Sequence, residues 1–204
     1  MPHVIIYIHR SGSSSLALSL SEKLSLPSLG EVMYECRGSD NINFKNHFDN
    51  FILSTKGNDF IVKFHVQDLK RLHDICPQSL ETFLDSDLKF YYPIRLNHKY
   101  QITSQMIATN TQQWLRTRNT TEKIVLNDSN ISLYFSQLTD SLRIQGELYR
   151  KFPGEVVLLK EDDNPYPKYN VRFTGVKTFL KKEIFPELDV LSIFYSNTSE
   201  YFKF

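Results

Sequence analysis

Apolar and polar positions fall into alternating short and long blocks along this chain. Residues 5–8 (Ile-Ile-Tyr-Ile) are a short, β-branched apolar run, which predicts a buried strand. The run breaks at His9-Arg10-Ser11-Gly12, three serines follow, and residues 16–24 take up a helical pattern. A second strand is predicted at 60–65, followed by a helix over 66–76 with Val66, Leu69, Leu72 and Ile75 near one face and Pro77 as its stop. Residues 88–94 predict a third, aromatic-rich strand ending at Arg95, and 97–118 read as an unusually polar helix. A long helix is predicted over 131–152, with Leu138, Leu142 and Leu148 among its apolar positions. Pro153-Gly154 then leads into a fourth strand over 155–160. Between these blocks, 25–30 reads as a loop leading to 31–35, and the polar, Gly/Asn-rich 37–46 as a surface excursion. Acidic 161–163 and Pro-rich 164–168 follow the fourth strand, and 179–204 is expected to pack on the sheet as helix.

Strands alternating with helices predict one α/β domain over 1–204, a parallel sheet flanked by helices on both faces. Ligands of such sheets sit beyond the carboxyl ends of the strands. Arg10, His65, Arg95 and Lys160 all fall at or near those ends, a rim suited to an anionic substrate. The first strand, turn and helix reinforce this expectation. Amide N–H groups of a first helical turn have no partners within the helix, and the helix dipole favours negative charge beside them. Gly12 allows close backbone approach, and the hydroxyls of Ser11, Ser13, Ser14 and Ser15 add donors, so a phosphate is the expected anion. A serine cap on an ordinary core helix is the competing structural reading. A nucleoside-triphosphate loop requires two glycines and a following Lys-Ser/Thr. This loop has one glycine, no such lysine, and Arg10 ahead of the turn.

Composition narrows the classes. With 204 residues, 41% hydrophobic and 13% aromatic, the chain can bury a real core. A net charge of +1 gives no global argument for nucleic acid or an acidic membrane surface, so basic residues must act locally. Cys36 and Cys76 form no disulfide framework and lack metal-site spacing. No apolar run approaches the ~20 residues of a membrane span. The expectation is a soluble, cytoplasmic chain with no metal, whose partner is a small molecule.

A second informative stretch runs from Tyr92 to Trp114. Arg95 at a strand end, followed nine residues later by Ser104 in a helix, can grip one phosphate from two sides, through a planar fork of donors and a short hydroxyl. An ordinary surface arginine on a solvated helix is the alternative. Together the two stretches resemble the sulfotransferases that use 3′-phosphoadenosine-5′-phosphosulfate. Arg10-Ser-Gly-Ser-Ser-Ser-Leu16 looks like their 5′-phosphosulfate loop, and Arg95…Ser104 like their 3′-phosphate site. The bacterial trehalose-sulfotransferase type is the closer match. Its helix carries the residue types of Arg95, Gln101, Ser104, Ala108, Thr111, Gln113 and Trp114 at this spacing. Lys63-Phe64-His65 is similar to its Lys-x-His, and Gly30-Glu31 to the position of its catalytic glutamate. The similarity covers residues 5–114, with only 156–162 suggesting the family's late strand and acidic loop. His9 stands where the family usually has proline, and Leu96-Asn97 where a second arginine and an aspartate are common.

The resemblance implies a P-loop, nucleotide-kinase-like fold. It also implies transfer of a sulfuryl group from 3′-phosphoadenosine-5′-phosphosulfate to a hydroxyl of a carbohydrate or other small polar acceptor. Arg10 would then be an electrostatic clamp on the leaving phosphate, since arginine cannot release a proton at useful pH. The loop residues Ser11, Gly12, Ser13, Ser14 and Ser15 would hold the 5′ side, and Arg95 and Ser104 the 3′-phosphate. Glu31 and His65 compete as general base. A non-catalytic phosphoadenosine- or phosphate-binding protein is the alternative from another class, and a small-molecule kinase a third. Trp114 lines a pocket or sits in the core, and 127–129 are expected to cap the long helix. His3, His47, His73 and His98, lacking any partner pattern, are read as surface residues, and Asp162 and Asp163 as a solvated turn.

Overall fold

A computed structural model of the chain describes residues 1–111, 128–159, 183–196 and 201–202. Gln113, Trp114, Asn127, Lys160 and the segment 161–168 lie outside them, as does the stretch of the predicted polar helix from 112 to 118.

Strand β1 (His3–Tyr7) is buried along its whole length, and its side chains divide by the period of two that a pleated strand imposes. Val4 and Ile6 join the large core layer; Ile5 and Tyr7 join a smaller one with Ala17 and Leu20 of α1 (Ser13–Leu24). Next come β2 (Ser28–Glu31), α2 (Asn41–Thr55), β3 (Ile61–His65), α3 (Val66–Ile75), α4 (Pro77–Leu84) and β4 (Lys89–Arg95). The chain continues through α5 (His98–Thr111), a 3-10 turn (Asp128–Asn130), α6 (Ile131–Lys151), β5 (Glu155–Leu159) and α7 (Val190–Phe194). The strands form one sheet, all neighbours parallel, in the order β2-β3-β1-β4-β5. Among the described residues this is the α/β arrangement that the sequence predicts, a parallel sheet flanked by helices. Among the described residues, no helix is long and apolar enough to cross a membrane.

The sheet order places the site. From β1 the chain turns toward β2 at one edge; from the adjacent β4 it turns toward β5 at the other. The carboxyl ends of β1 and β4 therefore flank a topological switch point. Pro93 opens it further. The β1–β4 pairing runs from His3↔Lys89 to Ile5↔Tyr91 and stops there, because Pro93 brings no N–H to the ladder. The buried Gln145 of α6 compensates by donating its amide to Ile6 O at 2.8 Å.

Several expectations need correction. The surface excursion at 37–46 is largely helix: Asp40 caps α2 by accepting from Asn43 N at 2.8 Å, and Phe44, Phe48 and Phe51 bury one face against the sheet. Pro77 does end α3, but it also opens α4 at a helix N-terminus, where its missing N–H costs nothing. No side-chain cap holds the start of α6; Asp128 and Ser129 form a 3-10 turn ahead of it. The four histidines read as surface residues are all at least half-buried. His3 shares a hydrogen bond with Tyr91 Oη at 3.0 Å, His47 donates to Val32 O at 2.8 Å and His98 to Pro186 O at 3.0 Å. His73 packs edge-on against Phe202.

Candidate functional site

The loop between β1 and α1 is built on two left-handed residues, Arg10 (φ 61°) and Gly12 (φ 78°). Glycine takes this conformation freely; an arginine held there costs energy that the surroundings must over-determine, a pattern concentrated at functional sites. A Cβ on Gly12 would lie 2.4 Å from Leu159 Cδ1, so the loop is also closed in by the end of β5. No side chain caps the α1 N-terminus, whose Ser15 and Leu16 amides bond back to Gly12 O. Ser11 Oγ is fully buried with no hydrogen-bond partner among the described residues, and Ser13 is buried, while Ser14 and Ser15 are exposed.

Two cations tie this loop to its surroundings, one of its own and one from β3. Arg10 Nε donates to Ser104 Oγ at 2.6 Å, joining the loop to the buried face of α5, where Gln101 also donates to His9 O at 2.7 Å. Lys63 Nζ, on β3, donates to Ser14 Oγ at 2.9 Å and lies 3.9 Å from Glu31 Oε1. Burial pulls the Lys63 ammonium below its ordinary value; Glu31 opposes that and Arg37 adds to it. Arg95 ends β4, opposite Leu159, on the strand beside β1. The loop, Arg10, Lys63, Glu31 and Ser104 thus gather in one place, with Arg95 and His65 at the same end of the sheet.

Glu31 differs from its expectation in one respect. It closes a strand, β2, and is not part of a free turn, so it is held at the carboxyl edge of the sheet. Arg37 NH1 approaches its Oε2 at 3.4 Å, so the carboxylate stands between two cations.

His65 ends β3 and begins α3 without a connecting loop. Its Nδ1 accepts from Gln67 N at 3.3 Å. A backbone amide can only donate, so the neutral ring carries its proton on Nε2. That Nε2 is buried and has no partner among the described residues. The ring lies 3.9 Å from the His9 ring and edge-on to Tyr7, its register partner across β1. Burial lowers His65 well below the ordinary histidine value, and His9 and Arg37 add to that. Burial likewise lowers His9 to about 4, with Arg37 and Arg10 helping and Glu31 opposing. Both rings are therefore neutral at pH 7.

Arg37, Tyr7 and Asp68 join the site beside the residues expected from the sequence. Arg37 takes both carboxylate oxygens of Asp68 at 2.7–3.1 Å and donates to Tyr7 Oη at 3.3 Å. Burial works against the Arg37 charge, but Asp68 outweighs it and holds the guanidinium above its ordinary value. Burial raises the Asp68 carboxyl in turn, against the pull of Arg37. Asp68 was detectable in principle, since a charge on the buried stripe of an amphipathic helix needs a cation partner. Nothing local in 37–46 marks Arg37 as that partner.

A cavity of about 430 Å³ adjoins these groups, bordered by His9, His65, Arg37 and Asp68 below and by side chains of α5 and α6 above. A larger apolar groove of about 800 Å³, bordered by Pro2, Phe60 and Leu88, lies at the opposite end of the sheet, away from every group described above.

No family model and no curated protein matches the chain. Among solved structures it overlaps a "putative kinase" from Chloroflexus aurantiacus J-10-fl at 20% identity and a TM-score of 0.30, covering 54% of this chain and 68% of that one. An overlap so slight carries no functional argument.

Proposed function

We propose that the chain is a sulfotransferase, moving a sulfuryl group from 3′-phosphoadenosine-5′-phosphosulfate to a hydroxyl of a carbohydrate or other small polar acceptor. The observation that carries this reading is the position of Lys63, whose ammonium reaches loop Ser14 at 2.9 Å and Glu31 at 3.9 Å. One cation thereby links the anion loop to a carboxylate able to take a proton. A triphosphate-binding loop carries its lysine within the loop. Here the loop's own cation is Arg10, and the lysine arrives from β3.

In this reading Glu31 accepts the proton of the acceptor hydroxyl as its oxygen bonds to sulfur. The bond from sulfur to the 5′-phosphate breaks, and the electron pair stays on the phosphate oxygen. Arg10, Lys63 and the amides at the α1 N-terminus meet that growing charge, the arrangement in which preorganised donors act most strongly. The products are a sulfate ester and adenosine 3′,5′-bisphosphate. Arg95 and Ser104 take the 3′-phosphate.

Transfer of labelled sulfate to a panel of polyols tests the activity, and calorimetry with adenosine 3′,5′-bisphosphate, AMP and magnesium–ATP tests the donor. The reading expects tight binding of the bisphosphate together with transfer. Binding without transfer to any acceptor would favour a non-catalytic binding protein, and tight magnesium–ATP binding a small-molecule kinase.

A further inference from the structure

We propose that the cavity over the ends of β1 and β3 holds the acceptor, as an uncharged, hydroxyl-rich molecule, and that His65 donates its Nε2–H to one of that molecule's oxygens. The inference rests on the sulfuryl-transfer reading and adds to it a substrate class and a role for His65 other than base.

His65 is only 3% exposed, and its Nε2 is a buried donor with no partner among the described residues. Leaving such a donor unmade costs stability, so its retention beside a cavity points to a ligand oxygen. The donor cannot reverse its role cheaply. Gln67 N occupies Nδ1 at 3.3 Å, and His9 lies against the ring at 3.9 Å. Protonating either ring would set a cation beside Arg37 in a buried place.

Beside its histidines, its charged residues and two apolar ones, the cavity wall is made of uncharged polar side chains. Gln67, Gln105 and Gln137 each offer a donor and an acceptor, as does Ser141. Sugar hydroxyls need both at once. Gln67 Nε2 and Ser141 Oγ are 3.5 Å apart, a bond long enough for a ligand hydroxyl to replace. The charges present are committed: Arg37 is held by Asp68 and Glu31, and Asp140 lies near Arg143 at 3.8 Å. A cationic ligand would meet Arg37 and an anionic one Asp68, in both cases with a like charge. A volume of about 430 Å³ falls at the small end of the range for ligand pockets, roughly 300–1,000 Å³, which suits one or two sugar rings.

The test uses full-length protein labelled with ¹⁵N in histidine, saturated with adenosine 3′,5′-bisphosphate and titrated with glucose, glucuronate or glucosamine. Before sugar is added, His65 should show a protonated Nε2 and an unprotonated Nδ1. Glucose should shift Nε2, while the two charged analogues bind about tenfold or more weakly, the cost of one like-charge contact. His65→Phe should weaken glucose by at least about tenfold and leave the bisphosphate affinity unchanged. Gln137→Leu, on an exposed position of α6, supplies a second variant that does not disturb the core and should also weaken glucose. A His65 resonance that glucose leaves unmoved while the nucleotide binds would overturn the inference and spare the donor assignment. So would glucose affinity unchanged from the wild type in both variants, or a protonated Nδ1. Glucose binding without nucleotide binding would support the cavity assignment and remove the sulfuryl-transfer reading beneath it.

Discussion

Arg10 Nε stands 2.6 Å from Ser104 Oγ, so the loop after β1 and the helix after β4 meet directly at the switch point of the sheet. The same serine is the residue assigned to the donor's 3′-phosphate, and the same arginine the clamp on its 5′ side. In the proposed reading the two anion subsites therefore adjoin, and a nucleotide with one phosphate would engage only part of them.

Adenosine 3′,5′-bisphosphate should accordingly bind far more tightly than AMP. Charge-assisted hydrogen bonds of this kind contribute about 1.5–3 kcal/mol each. Arg95→Ala should erase most of the difference between the two nucleotides. Ser104→Ala should erase part of it and also loosen the loop, because Arg10 loses its partner. Calorimetry giving equal affinities for the two nucleotides in the wild type would remove the 3′-phosphate assignment.

Gly12→Ala should weaken bisphosphate binding at least as much as it lowers stability. At φ 78° a Cβ is disfavoured by about 1–2 kcal/mol, and this one would press on Leu159 Cδ1, the movable end of a side chain. Leu159 can give way, but the strain of the left-handed backbone is relieved only by moving the loop, which is the proposed anion site. A variant with unchanged nucleotide affinity and a lowered melting temperature would make Gly12 a purely structural residue.

Much of this site was legible in the chain. The β1 run, its serine-rich turn, Lys63-Phe64-His65 and Arg95 are short, strongly patterned segments, and a parallel sheet brings their carboxyl ends together of necessity. Four features were not legible, each for its own reason. Strand β2 carries only Leu29 as a large apolar residue and pairs on one edge, so no alternation announces it. The α2 stripe Phe44, Phe48, Phe51 has helical spacing, but the Gly/Ser/Asn-rich lead-in hid it within a polar block. The stacking of His9 on His65 follows from the register Tyr7↔His65, and register is a property of strand order that one sequence does not state. The role of Arg37 is wholly tertiary, since its partners Tyr7, Glu31 and Asp68 come from three other elements.

Acid should destabilise the fold earlier than its carboxylates alone would. His9 has a folded pKa of about 4 against an unfolded value near 6.5, so between those pH values the unfolded chain binds a proton that the folded chain refuses. Stability is therefore fully present above about pH 6.5 and is lost as the pH falls toward 4, with His65 acting in the same direction. For His9 alone the loss at pH 5 is about 2 kcal/mol. Urea unfolding at pH 7 and pH 5 should show it, and His9→Gln should flatten the dependence. Asp68, raised by burial, works the other way and would mask part of the effect. An unchanged pH dependence in His9→Gln would mean that the ring pair is not what titrates.

The last expectation separates the two candidate bases. A base must present a lone pair to the acceptor hydroxyl, and His65 presents a proton: its Nδ1 is taken by Gln67 N, which leaves Nε2 as the N–H. Its low affinity for protons, set first by burial, makes it a poor acceptor even after a tautomer change. Glu31 has the opposite profile. It is a carboxylate at a strand end, tied through Lys63 to the loop on which the donor would sit. As a base it would act through position, held at the strand end beside the loop. General-base catalysis is typically worth roughly 10²–10⁴ in rate. Glu31→Gln should therefore lose two or more decades of single-turnover transfer with bisphosphate affinity kept. His65→Gln retains a neutral N–H donor and should mainly raise the acceptor KM. The reverse pattern, with the large rate loss confined to His65→Gln, would assign the proton transfer to His65 and make Glu31 the residue that positions Lys63.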